Sequence, residues 1–205
     1  MDIGLPHNIP PVTGTLLLLA VTSVVLVSFG LVHPLQLVFS STLTFQERQY
    51  WRLITTFFYF GRVNLESIIE FHWLYLVSSS IEQQYFRLRK LDYCFTILTG
   101  MLLLLGVRTL GIIDSPYLSF VFCRSLTYLF CRLFPEQEVG LFGLLMLRVR
   151  LLPIVFLVIG TILDDMRGIK ADIVANLVGH ILWYLLEIFP RITKLHPLRL
   201  QHYFF

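Results

Sequence analysis

The side chains best suited to chemistry fall on two helical stripes. Asp172, Asn176 and His180 recur every four residues, with Glu187 two turns further on, and Glu66, Glu70, Ser78 and Glu82 repeat the same spacing earlier in the chain. Residues four apart in a helix lie one above the other, so each set makes a polar face. His180 has the chemistry of a general base, but a base needs a nucleophile, and a serine nucleophile needs small neighbours that admit a substrate carbonyl to an oxyanion hole. An intramembrane serine protease carries that Ser in a Gly-x-Ser-Gly setting, and the chain contains no Gly-x-Ser. Its candidates, Ser119 and Ser125, stand in the bulky contexts Leu118-Ser119-Phe120 and Arg124-Ser125-Leu126. Asp164-Asp165 has no accompanying His or Glu cluster and reads as a solvated loop. Cys94, Cys123 and Cys131 fit neither a metal spacing nor a disulfide framework. The expectation is a chain with no catalytic residue, no metal site and no cofactor.

The medium around these stripes follows from composition. Hydrophobic residues make up 56% of the 205 positions and charged ones only 14%, with a mean hydropathy of +0.75. A soluble domain of this size cannot hide so much apolar surface. From Ile3 to Gln46 there is no Asp, Glu, Lys or Arg, and such a stretch prefers hydrocarbon. Polar groups at membrane depth are expensive, so both stripes should face the bundle interior or a wet cavity. Two roles stay open for them: locking neighbouring helices together, or lining a hydrophilic path. Arg108 and Arg124 each suit an internal partner, perhaps one of these carboxylates.

The elements that position the stripes are six predicted spans. Thr15–Val32 is charge-free and ends before His33-Pro34; it begins without a basic leader and reads as a retained signal anchor. Leu65–Ile81, Tyr93–Ile113, Pro116–Phe134, Leu151–Leu163 and Ile173–Phe189 complete the set. Between the first two lies a long aromatic segment, Leu35–Asn64, in which Tyr50, Ile54, Phe57 and Phe58 recur at helical spacing while Arg48, Arg52 and Thr56 cover another side. That pattern predicts a helix lying in the headgroup region. Leu151–Leu163 supplies about 20 Å of helix against a hydrocarbon core of about 30 Å, so it needs shielding by neighbours or a thinner bilayer. One side of a six-span arrangement receives Arg87, Arg89, Lys90, Arg132, Arg148, Arg150, Arg191, Lys194 and Arg199, and the other Arg48, Arg52, Arg62, Arg167 and Lys170. The positive-inside rule then predicts both termini in the cytosol.

Four segments in this order resemble the Derlin branch of the rhomboid-like proteins. Residues 49–61, Gln-Tyr-Trp-Arg-Leu-Ile-Thr-Thr-Phe-Phe-Tyr-Phe-Gly, resemble the family's first-loop signature, with its Trp51-Arg52 pair. Ile81 to Arg89 is similar to the stretch after the second span, matching it at Glu82, Phe86, Arg87 and Arg89. Gly179-His180 followed by Glu187 and Pro190 looks like the final-helix pattern, and Phe142-Gly143-Leu144 and Leu152-Pro153 fall where Derlins carry a Gly-Leu and a Leu-Pro. The likeness runs from about residue 10 to 192. Gln83 departs from it, standing where the family has a second Glu.

The resemblance implies an all-α, six-helix rhomboid-like bundle with an interfacial first loop over residues 1–192, and a short cytosolic tail over 193–205. It implies a pseudoprotease of the endoplasmic reticulum membrane that helps move misfolded proteins from lumen to cytosol for ubiquitin-dependent degradation. The implied partners are a membrane-embedded ubiquitin ligase with its adaptors, misfolded clients and a cytosolic AAA ATPase. No acidic or Gly-rich ATPase-binding box follows Pro190, so ATPase engagement is expected through partners. Nucleic acid is not an expected partner. The substrate path, on this likeness, involves Trp51, Arg52, Glu70, Glu82, Phe86, Arg89, Asn176, Gly179 and His180, as a half-channel with local bilayer thinning. Two alternatives are an active rhomboid-type serine protease and a purely structural adaptor of the ligase complex.

Overall fold

The computed structural model describes residues 9–141, 145–163 and 166–198. Its helices are α1 (Pro11–Ser28), α2 (Ser41–Phe45), α3 (Arg52–Thr55), α4 (Leu65–Ser80), α5 (Lys90–Thr109), α6 (Ser119–Leu133), α7 (Leu152–Leu163), α8 (Met166–Trp183) and α9 (Phe189–Thr193). Two π-helical turns, Ile81–Tyr85 and Tyr184–Ile188, extend α4 and join α8 to α9. Each of the six expected apolar segments is a helix, with ends displaced by a few residues. Among the described residues, Pro11–Ser28, Lys90–Thr109 and Gly168–Thr193 are long and apolar enough to cross a membrane. α6 has 15 residues and α7 has 12, about 22 and 18 Å of helix.

Local chemistry sets where these helices begin and end. Pro11 starts α1, where its missing N–H costs nothing. Gly30, at φ +71°, closes it: the Leu31 amide donates to the Leu26 carbonyl and the Gly30 amide to Val27, both at 3.0 Å, the paired bonds that end many helices on a left-handed residue. Asn64 opens α4 by accepting from the Ser67 amide at 2.8 Å, while Ser67 Oγ accepts from the Asn64 amide at 3.1 Å.

The core is aromatic and centred on α6, which packs against α4, α5, α7 and α8. Phe57 meets Phe122 edge-on at 5.7 Å, and Phe60 meets both Phe71 and Phe120. The first loop is therefore not the continuous interfacial helix that its spacing predicts. It is a 3-10 turn at Pro34–Gln36, the short α2 and α3, and irregular chain. Tyr50, Trp51 and Ile54 are exposed, but Phe57 and Phe58 are buried in the core, so the four do not form one face. Core packing of Phe57–Phe60 outweighs the local helical pattern, and their backbone carbonyls find partners: Ser23 Oγ donates to Phe58 at 2.5 Å and Ser119 Oγ to Tyr59 at 2.6 Å.

A second departure from an all-α chain lies between α6 and α7. β1 (Glu138–Leu141) and β2 (Leu145–Arg148) pair antiparallel, Glu138 opposite Arg148 and Val139 opposite Leu147. The Phe142-Gly143-Leu144 and Asp164-Asp165 segments singled out in the sequence lie outside the described residues, as do the Glu66 side chain and residues 199–205 of the tail.

Candidate functional site

Glu82 does not sit on an open groove. It is 2% exposed, and its carboxylate accepts from the Val12 amide at 3.1 Å, the Thr13 amide at 2.7 Å and Thr13 Oγ1 at 2.8 Å. A helix leaves its first amides unpaired, and an anion there is doubly favourable because the helix dipole is positive at that end. Pro10 and Pro11 supply no local cap, so the cap comes from a residue 70 positions away. Ser78 Oγ joins Thr13 Oγ1 at 2.9 Å and Tyr93 Oη at 2.7 Å, which ties α1, α4 and α5 into one buried polar knot. Phe86, fully buried, stacks on Tyr93 at 5.2 Å, and the Arg89 guanidinium lies 5.7 Å from the Tyr85 ring. The expected shared face of Glu70, Ser78 and Glu82 is thus divided: Ser78 and Glu82 turn to α1 and Glu70 to α6.

At the first loop the Trp51-Arg52 pair splits its work. Trp51 is 55% exposed, in keeping with an interfacial anchor, whereas Arg52 is 5% exposed. Arg52 Nη1 donates to the Leu35 and Val38 carbonyls at 2.7 and 2.8 Å, and Nε donates to Gln49 Oε1 at 2.7 Å. Its planar fork closes the loop across 14 to 17 residues, which a flexible ammonium does less well. Arg52→Ala should destabilise the fold by about 2–3 kcal/mol, the worth of a buried charged donor group whose acceptors go unpaired. Limited proteolysis checks this: faster cleavage within 33–50 is expected, and unchanged cleavage would refute the stapling role.

The second polar group runs between α4, α6, α7 and α8. Arg124 faces Glu70 at 3.9 Å and lies over the Phe156 ring at 3.8 Å. Phe156 also meets Trp73 at 5.4 Å, and Trp73 Nε1 donates to Thr127 Oγ1 at 3.0 Å. Arg124, Thr127, Tyr128, Asp172 and Asn176 line a small cavity of about 10 Å³ covered by Pro153, Phe156 and Leu157 of α7. That is room for about one water, and the lining is polar enough to hold it. Asp172 and Asn176 therefore meet as the stripe predicts. Arg108 bonds instead to the Ile113 carbonyl.

Gly179 and His180 have separate tasks. A Cβ on Gly179 would fall 2.6 Å from the Ser125 carbonyl oxygen and 2.8 Å from Tyr128 Cβ, so only glycine lets α8 approach α6 this closely. Ala175, one turn earlier, is fully buried on the same ridge. His180 is exposed, and its Nδ1 lies 3.0 Å from Tyr128 Oη. Both candidate serines are buried and donate to backbone carbonyls, Ser119 to Tyr59 and Ser125 to Phe122 at 2.7 Å. The hydroxyl beside His180 is a phenol, a poor alkoxide nucleophile.

Glu187 leaves the Asp172–Asn176–His180 stripe. The π-helical turn at Tyr184–Ile188 advances the phase by an extra residue, and Glu187 accepts from Tyr85 Oη at 2.5 Å and from Arg191 at 2.6 Å. Tyr85 sits in the other π-helical turn, so two of the four motif segments meet through one hydrogen bond. Sequence reasoning missed Tyr85, Thr13, Tyr128 and Phe156. Tyr85 lay inside a quoted motif, but the others carry no signal beyond ordinary helical positions.

The family model described as Der1-like matches residues 9–198. Derlin-2.2 of Arabidopsis thaliana is 28% identical over 202 residues, covering 94% of this chain and 82% of its own length. Derlin-1 of the same plant is 27% identical over 192 residues, covering 94% and 69%. The probable derlin-2 homolog of Dictyostelium discoideum is 27% identical over 196 residues, covering 91% and 75%. With the match spanning the knot at Glu82, the Arg52 staple and the α6–α8 seam, this membrane protein belongs to the Der1-like family.

Proposed function

We propose that the chain is a non-catalytic, six-span protein of the endoplasmic reticulum membrane that aids the retrotranslocation of misfolded proteins for ubiquitin-dependent degradation. Both termini face the cytosol. It works as a half-channel beside a membrane-embedded ubiquitin ligase and its adaptors, with the AAA ATPase engaged indirectly. The observation that carries this reading is the polar group of Glu70, Arg124, Asp172 and Asn176, set where the short helices α6 and α7 flank it. An extended chain in hydrocarbon loses several kcal/mol for each unpaired backbone group, so polar partners at depth and a thinner bilayer both lower the barrier. The bonding of Ser119 and Ser125 to carbonyls, and of His180 to a phenol, supports the absence of proteolytic chemistry.

Site-specific photocrosslinking in microsomes tests the conduit. A probe replacing Asn176 is expected to crosslink a lumenal misfolded client during its export, while a probe at lipid-facing Leu102 does not. Crosslinks to ligase subunits alone, with none to client, would favour the adaptor reading and overturn this one.

A further inference from the structure

We infer that the outer seam between α6 and α8 binds an anionic glycerophospholipid, with the phosphate at Arg132 and an acyl chain in the groove below it. Arg132 is exposed at the last turn of α6, its guanidinium 4.0 Å from the centroid of the Trp183 ring. A guanidinium stacked by its face keeps its in-plane donors for a planar or tetrahedral anion. The ion pairs among the described residues, Arg124–Glu70 and Arg191–Glu187, do not use it.

One turn inward stand Tyr128 and His180, joined at 3.0 Å. Below Arg132 the surface opens into a groove of about 340 Å³ lined by Tyr128, Ile173, Asn176, Leu177 and His180. Arg132 beside Trp183 and Tyr128 beside His180 show that α6 and α8 run parallel here. The seam therefore descends from a cation, past uncharged hydrogen-bonding groups, to Leu177 and Ile173, over about 15 Å of helix rise. A glycerophospholipid has the same order: phosphate, ester carbonyls, acyl chain. Because α8 lies in an apolar stretch of membrane-spanning length, the groove opens onto hydrocarbon, where an aqueous solute would not compete. Basic positions between spanning helices favour anionic headgroups over zwitterionic ones.

The level of the site has a further effect. The continuous helix runs on from Trp183 to Thr193, about 15 Å. A lipid seated at Arg132 thus holds its headgroup well below the end of that helix, which thins the leaflet at this seam. The inference rests on the membrane placement of α8 and not on the transport reading.

Native mass spectrometry of the full chain in detergent micelles, with phosphatidylserine as the probe, tests it. One tightly held phosphatidylserine is expected, with phosphatidylcholine of the same acyl chains binding more weakly and glycerophosphoserine failing to compete. Arg132→Gln should weaken binding about fivefold, the share of one arginine near an anionic surface. Leu177→Trp should fill the groove and remove binding, while Arg191→Gln should change nothing. Unaltered binding in both Arg132→Gln and Leu177→Trp, equal binding of phosphatidylcholine, or full competition by glycerophosphoserine would each overturn the site. Should Arg132→Gln lower the unfolding midpoint without lipid, Leu177→Trp at an exposed position decides the matter alone.

Discussion

Glu82→Ala is expected to destabilise the protein by about 3–5 kcal/mol, more than any other single substitution at its polar positions. The carboxylate accepts three hydrogen bonds at 2.7–3.1 Å in a fully buried setting. Bonds to a charged acceptor are each worth about 1.5–3 kcal/mol, and their loss here also leaves two helix amides with nothing to meet. Their sum overstates the effect, because α1 can shift and water can enter. Glu82→Gln keeps the volume and one acceptor oxygen but turns an NH2 toward Thr13, so a loss of about 2 kcal/mol is expected. Denaturant unfolding in micelles, followed by tryptophan fluorescence, measures both. A Glu82→Ala protein within about 1 kcal/mol of the parent would mean that α1 is held by its apolar face alone.

The second large effect is expected at Gly179. Two terms oppose each other there. Alanine gains about 1 kcal/mol over glycine in helix propensity. Against that, its Cβ would lie 2.6 Å from the Ser125 carbonyl, a backbone atom that cannot step aside without moving α6. Overpacking of this kind costs about 1–3 kcal/mol, and a larger side chain costs more. Gly179→Ala should therefore be net destabilising by about 1–2 kcal/mol, and Gly179→Leu should not accumulate as a folded protein. The coupling can be read as well. Tyr128→Phe should cost about 1 kcal/mol in the parent by removing the bond to His180, and nearly nothing in Gly179→Ala, where the helices stand further apart. Additive losses would show that Gly179 does not set the α6–α8 distance.

How far the residues disclosed this arrangement depends on what kind of order is asked for. Hydropathy marked all six long helices, because burial in lipid demands long apolar runs whatever the partner. The interior ridge of Ala171, Ala175 and Gly179 was equally plain, since small residues four apart have few other uses. What periodicity cannot supply is the identity of the neighbour. Glu82 and Glu70 share a spacing, yet one caps α1 and the other meets Arg124. The first loop misled for a different reason: aromatic residues at helical spacing are read as one face, but Phe57 and Phe58 answer to Phe122 and the core. The hairpin at 138–148 was hidden because its alternation stands in an apolar background and no Asn-Gly turn marks it.

The two π-helical turns bear on how such chains vary in length. A π-turn holds one residue more than the α-helix around it, so it is the one place in a span where a residue can be lost without tearing the helix. Deleting a position within Tyr184–Ile188 would restore regular winding and swing everything beyond it by about 100°. Glu187 would then leave Tyr85, and α9 would point its Arg191 elsewhere. Aligning related chains across these two segments thus calls for treating a one-residue gap as a change of helical phase, with the bond between Tyr85 and Glu187 reporting whether the two turns are kept together.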